Sequence, residues 1–381
     1  MKTPSAPSQA GADAPAVGPH ATSGAIKVRT VTYDQLTPAE VATWSAIQRR
    51  NPLLGTPYFC PEFTQAVSAV RRDVEVAVLE QEGAAVGFLP FQRGRFNVGR
   101  PVADTLSDFQ GIIAAEGVEC SPVDLVRGCG LSALHFDHLV SEQAQFAPHA
   151  WQTYDSPYID LPRGVEAYIQ EQENGRRIMG EYRQRKRKLG REIGEVQFET
   201  HVTDPAVLAT FIEWKSEQYR LTGVPSIFDF EWVRDLLDRI MEFSGETFAP
   251  VLSVAYAGDA IAAINFGMRS ESVLHPWFPT YNAELSRYST GTMHMIELMH
   301  AAKALGIGRI DLGKGPEPYK RRLMNGASYV MEGCVELRPG MQQLRSTWRT
   351  TREAVRHSPL YHVARGPVRL VEQLLWRKKL Q

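Results

Sequence analysis

Apolar positions along this chain switch between a period of two and a period near 3.6 residues, the marks of strand and helix. Pro38 to Gln48 sets Val41, Trp44 and Ile47 on one face and reads as a helix. Pro61 to Val70 reads as a second, entered through the turn at Thr56-Pro57. A hairpin follows, with Val74 to Leu79 and Ala85 to Phe91 as strands and Glu82-Gly83 as the turn. Phe211 to Leu221 and Trp232 to Phe243 read as helices, the second turning Leu236, Leu237 and Ile240 inward. A second hairpin runs from Val251 to Tyr256, turns at Gly258-Asp259 and returns from Ala260 to Phe266. Aligning the two turn glycines gives an offset of 175 residues, with Ala85 on Ala260 and Phe91 on Phe266. That offset is a reasonable domain length and favours a duplicated unit. Tyr329 to Leu337 reads as a last strand.

The densest pattern lies between Val273 and Arg322. Val273 to Phe278 is apolar and aromatic, as a buried strand is. Asn282 to Thr290 is polar and reads as a loop. From Gly291 the period changes: Met293, Ile296, Met299 and Leu305 recur at helical spacing until Gly306 and Gly308 stop them. Arg309 to Leu312 is strand-like, and Gly313-Lys314-Gly315-Pro316 turns the chain. This order of strand, Ser289-Thr290-Gly291-Thr292 and helix suits an anion. The first amides of a helix lack internal partners, and the dipole adds about half a positive charge there. Gly291 lets a ligand approach the backbone, and Ser289, Thr290 and Thr292 bring hydroxyls. Lys320, Arg321 and Arg322 follow within reach of the same phosphates. An ordinary capped helix is the alternative.

Composition narrows the field. With 381 residues the chain has room for two domains. A net charge of −1 excludes a bulk polyanion binder. Cys60, Cys120, Cys129 and Cys334 show no CxxC spacing, which fits a reducing cytoplasm and points to neither disulfides nor zinc. The N-terminus shows no apolar core of a signal peptide, and no run reaches the ~20 apolar residues of a membrane span. Residues 1–25 are rich in Ala, Pro, Ser and Gly and read as a disordered tail. Residues 341–381 hold nine Lys and Arg against Glu353 and Glu372 beside an apolar side. Such a basic amphipathic tail either lies on an anionic membrane face or docks on the protein.

Other polar clusters are weaker signals. In Leu106 to Ile113, alternation puts Asp108 and Gln110 on one face, as acceptor contacts in a cleft or as solvated groups at a strand end. His135-Phe136-Asp137-His138 lacks a third ligand nearby and reads as structural rather than metal-binding. Arg176 to Arg191 contains eight basic residues against Glu181, either a solvated helix packing through Ile178, Tyr182 and Leu189 or a surface for an anionic polymer.

Tyr281-Asn282, Tyr288 to Gly291, the helix to Gly306, Asp311 to Gly315 and Glu317 to Lys320 carry a resemblance. Over roughly residues 165–335 the chain resembles GNAT-type acyltransferases. The branch is the BioF2-like one associated with bacterial cellulose and exopolysaccharide synthesis, itself related to Fem-type aminoacyl-tRNA transferases. Family members usually have Asp where this chain has Asn282, and often Pro where it has Thr290. The resemblance implies an α/β (α+β) fold of tandem GNAT-like domains, each a mixed twisted sheet flanked by helices. Residues 26–162 and 163–340 are then the two domains, the second holding the acyl-CoA site. It implies acetyl-CoA or another acyl-CoA as co-substrate, no metal, and direct transfer to an amine or hydroxyl of a sugar, polysaccharide precursor or small metabolite.

On this reading Ser289, Thr290, Gly291, Thr292, Lys320 and Arg321 hold the cofactor. Gln110, Trp277, Tyr281 and Glu317 contact substrate. A backbone N–H near His275 to Phe278 polarises the carbonyl, and by resemblance Tyr319 protonates the leaving thiolate. Asp311, His275, Glu317 and Asp108 remain unranked as the base; histidine has the natural pKa, and burial raises that of an aspartate. The expected location is cytoplasmic, with the tail as a contact to the inner membrane face. Two other readings stay open: a Fem-like transferase using aminoacyl-tRNA, although no segment is long enough for the usual Fem helical hairpin, and a non-catalytic glycan or envelope binding protein. Nucleic acid enters only under the first of these.

Overall fold

The computed structural model describes residues 25–315 and 317–341. Apart from residues 25 and 341, the two expected tails lie outside these, as does the membrane contact proposed for the second.

The first half of the chain supplies β1 (Lys27–Val31), α1 (Pro38–Arg50), α2 (Pro61–Val70), β2 (Val74–Gln81), β3 (Ala84–Gly94), β4 (Val98–Arg100), β5 (Ile113–Ala114), α3 (Pro122–Gly128), β6 (Ala133–Val140) and β7 (Ala150–Asp160). The second supplies α4 (Gly164–Glu171), α5 (Gly175–Glu192), β8 (Val196–Glu199), α6 (Pro205–Thr222), α7 (Glu231–Met241), β9 (Phe248–Ala257), β10 (Ala260–Ser270), β11 (Val273–Tyr281), α8 (Thr290–Ala302), β12 (Arg309–Asp311), α9 (Pro318–Leu323) and β13 (Gly326–Glu336). Local chemistry fixes the helix ends. Thr37 and Glu40 close a reciprocal capping box ahead of α1, with Pro38 as its first residue. Asp204 caps α6, and Gly223, at φ 70°, ends it.

The strands form one mixed sheet in the order β1-β2-β3-β4-β6-β13-β7-β12-β11-β10-β9-β8, with β5 beside β3. The order reads alike from both ends. In each half, antiparallel strands lead to a parallel pair only two residues long, Val98 and Gly99 against Ala133 and Leu134, and Val273 and Leu274 against Arg309 and Ile310. The last strand of each half then crosses over: β7 pairs with β12, β13 pairs with β6, and the two pair with each other. The two expected sheets are therefore a single sheet in which each half completes the other.

Both hairpins form, but they match at an offset of 176, not 175. Val86 bulges from β3 opposite Leu79 and Glu80, and Ala262 bulges from β10 opposite Ala255 and Tyr256. The glycine alignment slipped because Glu82 takes the left-handed φ (52°) that Gly258 takes (57°) in the second turn.

Strand alternation feeds two faces. On one, a single core runs across both halves, from Trp44, Phe63 and Phe88 to Phe211, Leu237 and Phe266. On the other, each half has its own core: α3 covers Leu79, Phe91 and Leu134, while α4, α5 and α8 cover Ile159, Leu274 and Ile310. The shared face ties the halves together next to the place where β11 and β12 part.

Candidate active site

β11 runs on for seven residues after its pairing with β12 ends at Leu274. From His275 to Tyr281 one edge of the strand is open, and a cavity of about 770 Å³ lies along it. Ligand pockets typically fall between about 300 and 1,000 Å³. A bulge where β10 faces His275 shapes this edge, and Gly267 is there by necessity: a Cβ would stand 2.6 Å from the His275 carbonyl oxygen.

The start of α8 opens on this cavity. Ser289 precedes the helix in the left-handed region (φ 55°), and Thr290, Gly291 and Thr292 form its first turn. Among the described residues no side chain caps that turn, and the Thr290 hydroxyl is buried without a partner. The expected Asn282–Thr290 loop is mostly a 3₁₀ turn over Ala283–Tyr288 that delivers Ser289 to this position. Tyr281 lies over Gly291, so that a Cβ there would meet its ring at 3.3 Å. The counterpart helix in the first half differs: the Ser121 side chain accepts from the Asp124 N–H, and Asp124 puts an acid in its first turn. Of these two helices, α8 is the one that, among the described residues, leaves its start without a side-chain cap for an anion.

Asp108 lines the same cavity, reaching it from a loop of the first half. One carboxylate oxygen is 3.0 Å from His275 Nε2, and the other is 3.7 Å from His138 Nε2. The Asp108 side chain keeps 27% of its exposure and that of His275 only 2%, so the carboxylate is the member that meets a ligand. Burial pushes the Asp108 carboxyl up, but the hydrogen bond and charge of His275, with His138 and Lys320, outweigh it and hold the group below the ordinary range. Tyr58 packs edge-on against the His275 ring, 5.1 Å between centroids, and fixes its plane. Gly313, at φ 70°, passes so close that a Cβ would stand 2.8 Å from Asp108 Oδ2.

Tyr319 and Glu317 also line the cavity. Burial first, then the charges of Glu317 and Asp108, raise the Tyr319 phenol far above its usual value and keep it protonated. Trp277 lines it too, its indole donating to the Leu106 carbonyl at 2.9 Å and so tying β11 to the first half.

Residues 176–321 match the family model of the acetyltransferase (GNAT) domain. The chain carries a GNAT acetyltransferase domain. As an enzyme it is an acyltransferase. A search of the curated proteins finds no match. Among solved structures, FemX aligns over 83% of this chain and 99% of its own at 10% identity and a TM-score of 0.55. The C-terminal domain of a proposed lysylphosphatidylglycerol synthetase from Agrobacterium fabrum aligns over 82% and 96% at 13% identity and a TM-score of 0.50. A tandem GNAT protein from the clavulanic acid biosynthesis pathway aligns over 83% and 100% at 10% identity and a TM-score of 0.48. For FemX and the synthetase domain, at these identities, the likeness is one of fold.

Within the GNAT domain most of the expected site residues meet at one cavity: His275, Trp277, Tyr281, Ser289, Thr290, Gly291, Thr292, Glu317, Tyr319 and Lys320, joined by Asp108. Three do not reach it. Gln110 is turned inward, donating to Asp137 Oδ1 at 2.6 Å and accepting from the amides of Asp137 and His138. The alternation that grouped it with Asp108 fails because the segment is a loop, not a strand. Asp311 is buried behind the pair, 2.6 Å from Arg309 Nε, its carboxyl raised by burial against the pull of Arg309 and His275. Arg321 is exposed outside the cavity. Lys320 lines the wall, but its ammonium bonds to the Gly313 and Lys314 carbonyls and to Glu317, bracing the turn. Arg322 pairs with Glu181, and Arg185 lies near the same acid, in a small groove on the far side of Ser289 and Thr292.

His138, read from the sequence as structural, backs Asp108, a link the sequence did not show, and Lys215, Gln218 and Tyr219 of α6, which form a cavity wall, were missed. Nothing in the α6 pattern marks them, since a lysine on an amphipathic helix normally faces water. Among the described residues no group of three His, Cys, Asp or Glu is placed to hold a metal, and no helix is long and apolar enough to cross a membrane.

Proposed function

We propose that the protein transfers an acyl group directly from acyl-CoA to an amine or hydroxyl of a sugar, polysaccharide precursor or small metabolite. The observation that carries this is the free first turn of α8 opening on the same cavity as the Asp108–His275 pair. The diphosphate of CoA sits on the amides of Thr290 to Thr292, and the pantetheine arm follows the open edge of β11. The acceptor lies against Asp108. As its nitrogen or oxygen bonds to the thioester carbon, its proton passes to the Asp108–His275 pair, the C–S bond breaks, and Tyr319 protonates the thiolate. The division into units at residues 26–162 and 163–340, the BioF2-like branch and a cytoplasmic setting belong to the same proposal.

Calorimetric titration with acetyl-CoA tests the site. Binding in the micromolar range to the full chain, lost in Gly291→Trp, is the expected result. Wild-type protein that takes up no heat with acetyl-CoA or longer acyl-CoA sinks the proposal.

A second reading, aminoacyl-tRNA as donor, is favoured by one feature. Arg183, Arg187, Lys188 and Arg191 leave an exposed basic face on α5. Part of that helix is already committed, however, with Lys186 bonded to Glu297 and Arg322 to Glu181. Comparing tRNA and CoA affinities by titration separates the two donors.

A further inference from the structure

Three lysines line the cavity, and the transfer described above uses none of their amines; Lys314 donates to the Asp137 carbonyl and lies over the Tyr154 ring. Lys215 projects from α6 to the open edge of β11. Its Nζ donates to the Pro279 carbonyl at 2.9 Å and to Gln218 Oε1 at 3.0 Å. Among the described residues no carboxylate stands within ion-pair distance of it. Lys320 differs, being held by Glu317 at 3.1 Å.

A neutral amine has two N–H groups and one lone pair. Pro279 and Gln218 take both N–H groups and leave the lone pair free. An ammonium would instead have a third N–H, with the Tyr219 ring, its centroid 5.6 Å away, as the remaining group near it. The surroundings agree with the geometry: burial first, with the positive charge of Lys320 acting against Glu317, lowers the Lys215 amine to about 8. At pH 8 such a group holds roughly a hundredfold more neutral amine than an ordinary exposed lysine. Proline at 279 has no N–H to offer the cavity, so at this point of the strand edge the lysine is the polar group presented.

We propose that Lys215 is a self-acylation site, taking the acyl group from a thioester bound in this cavity when no acceptor is present. This rests on reading the cavity as the acyl-CoA site. The Nζ lone pair bonds to the thioester carbon, the C–S bond breaks, and its electron pair leaves on sulfur. One amine proton passes to the thiolate, giving free CoA thiol and a neutral acyl-lysine. No further reactant is needed. The acyl-lysine keeps a single N–H for its two former acceptors and places its acyl group inside the cavity, so the modified enzyme is blocked.

The test uses the full chain with acetyl-CoA and no acceptor, followed by peptide mass spectrometry over time at pH 7, 8 and 9. Lys215 is expected to acetylate at least about tenfold faster than the exposed Lys188, given its larger neutral fraction. Its rate should saturate with acetyl-CoA, level off above pH 8, and fall in Gly291→Trp. Calorimetric binding of acetyl-CoA with Lys215 unmodified, or trailing Lys188, overturns self-acylation and leaves the acyl-CoA site standing. Absence of any acetyl-CoA binding overturns both, and the calorimetry tells the two failures apart.

Discussion

Asp108 and Gly313 bring the site down to a few atoms. Gly313 is held at φ 70°, where any other residue is strained by about 1–2 kcal/mol. A methyl there also presses on Asp108 Oδ2 and, at 3.2 Å, on His275 Cε1. Gly313→Ala should therefore lose about 1–2 kcal/mol in urea denaturation and most of its turnover. A variant with native stability and native rate would show that the turn does not press on the pair. Asp108→Asn should slow transfer by about 10²–10⁴-fold, the usual worth of a positioned acid–base group. It should also change the acid limb of stability. The folded-state pKa of Asp108 lies below its unfolded value. Its contribution is present above about pH 4 and is lost as pH falls through the folded value. Melting temperature plotted against pH should therefore fall less steeply below about pH 4 in Asp108→Asn than in wild type. Much of this was legible beforehand: His275, Asp108 and the Ser289–Thr292 run stood out by type and context. Which carboxylate joins His275 was not, because Asp108 lies in the first half and Asp311 in the second, and only packing ranks them.

At the scale of elements, α8 does two jobs. Its first turn faces the cavity, and its body is bolted to the sheet. His294 is buried in that body, with its Nε2 2.8 Å from Ser253 Oγ on β9, and burial lowers it to about 3. Between about pH 6.5 and 3 the unfolded chain takes up a proton that the folded chain refuses. Stability should then fall with acid across that window by up to about 1.4 kcal/mol per pH unit. His294→Gln should flatten the slope of unfolding free energy between pH 6 and 4; an identical slope would mean the imidazole charges without opening the fold. Period and capping gave α2 its bounds and α8 nearly so, since Pro61 starts the first and the Gly306 region ends the second. Gly267, a glycine inside a strand pattern, marks the bulge, but the parting of β11 from β12 left no mark on the sequence, because a strand reads the same whether or not its neighbour continues.

The whole molecule is organised by exchange. β7 is made in the first half and spent on β12, while β13 is made in the second half and placed between β6 and β7. Eleven residues of each strand thus lie in the partner half's territory. The repeated hairpins announced two units, but nothing in either final strand says which sheet it will join, since an alternating strand pairs with any edge of suitable register. Neither half keeps a complete sheet on its own, and the large core on the shared face has contributions from both. Residues 1–162 expressed alone would leave β6 and β7 without β13, two unpaired strand edges open to water and to aggregation. Calorimetry of the full chain should accordingly show one cooperative unfolding transition, and neither 1–162 nor 163–381 should give a soluble folded species by itself. Two separated transitions, or a stable isolated half, would mean that the exchanged strands add little, and that the cavity between the halves, with Asp108 reaching across from one to His275 in the other, is held by the domains' surfaces alone.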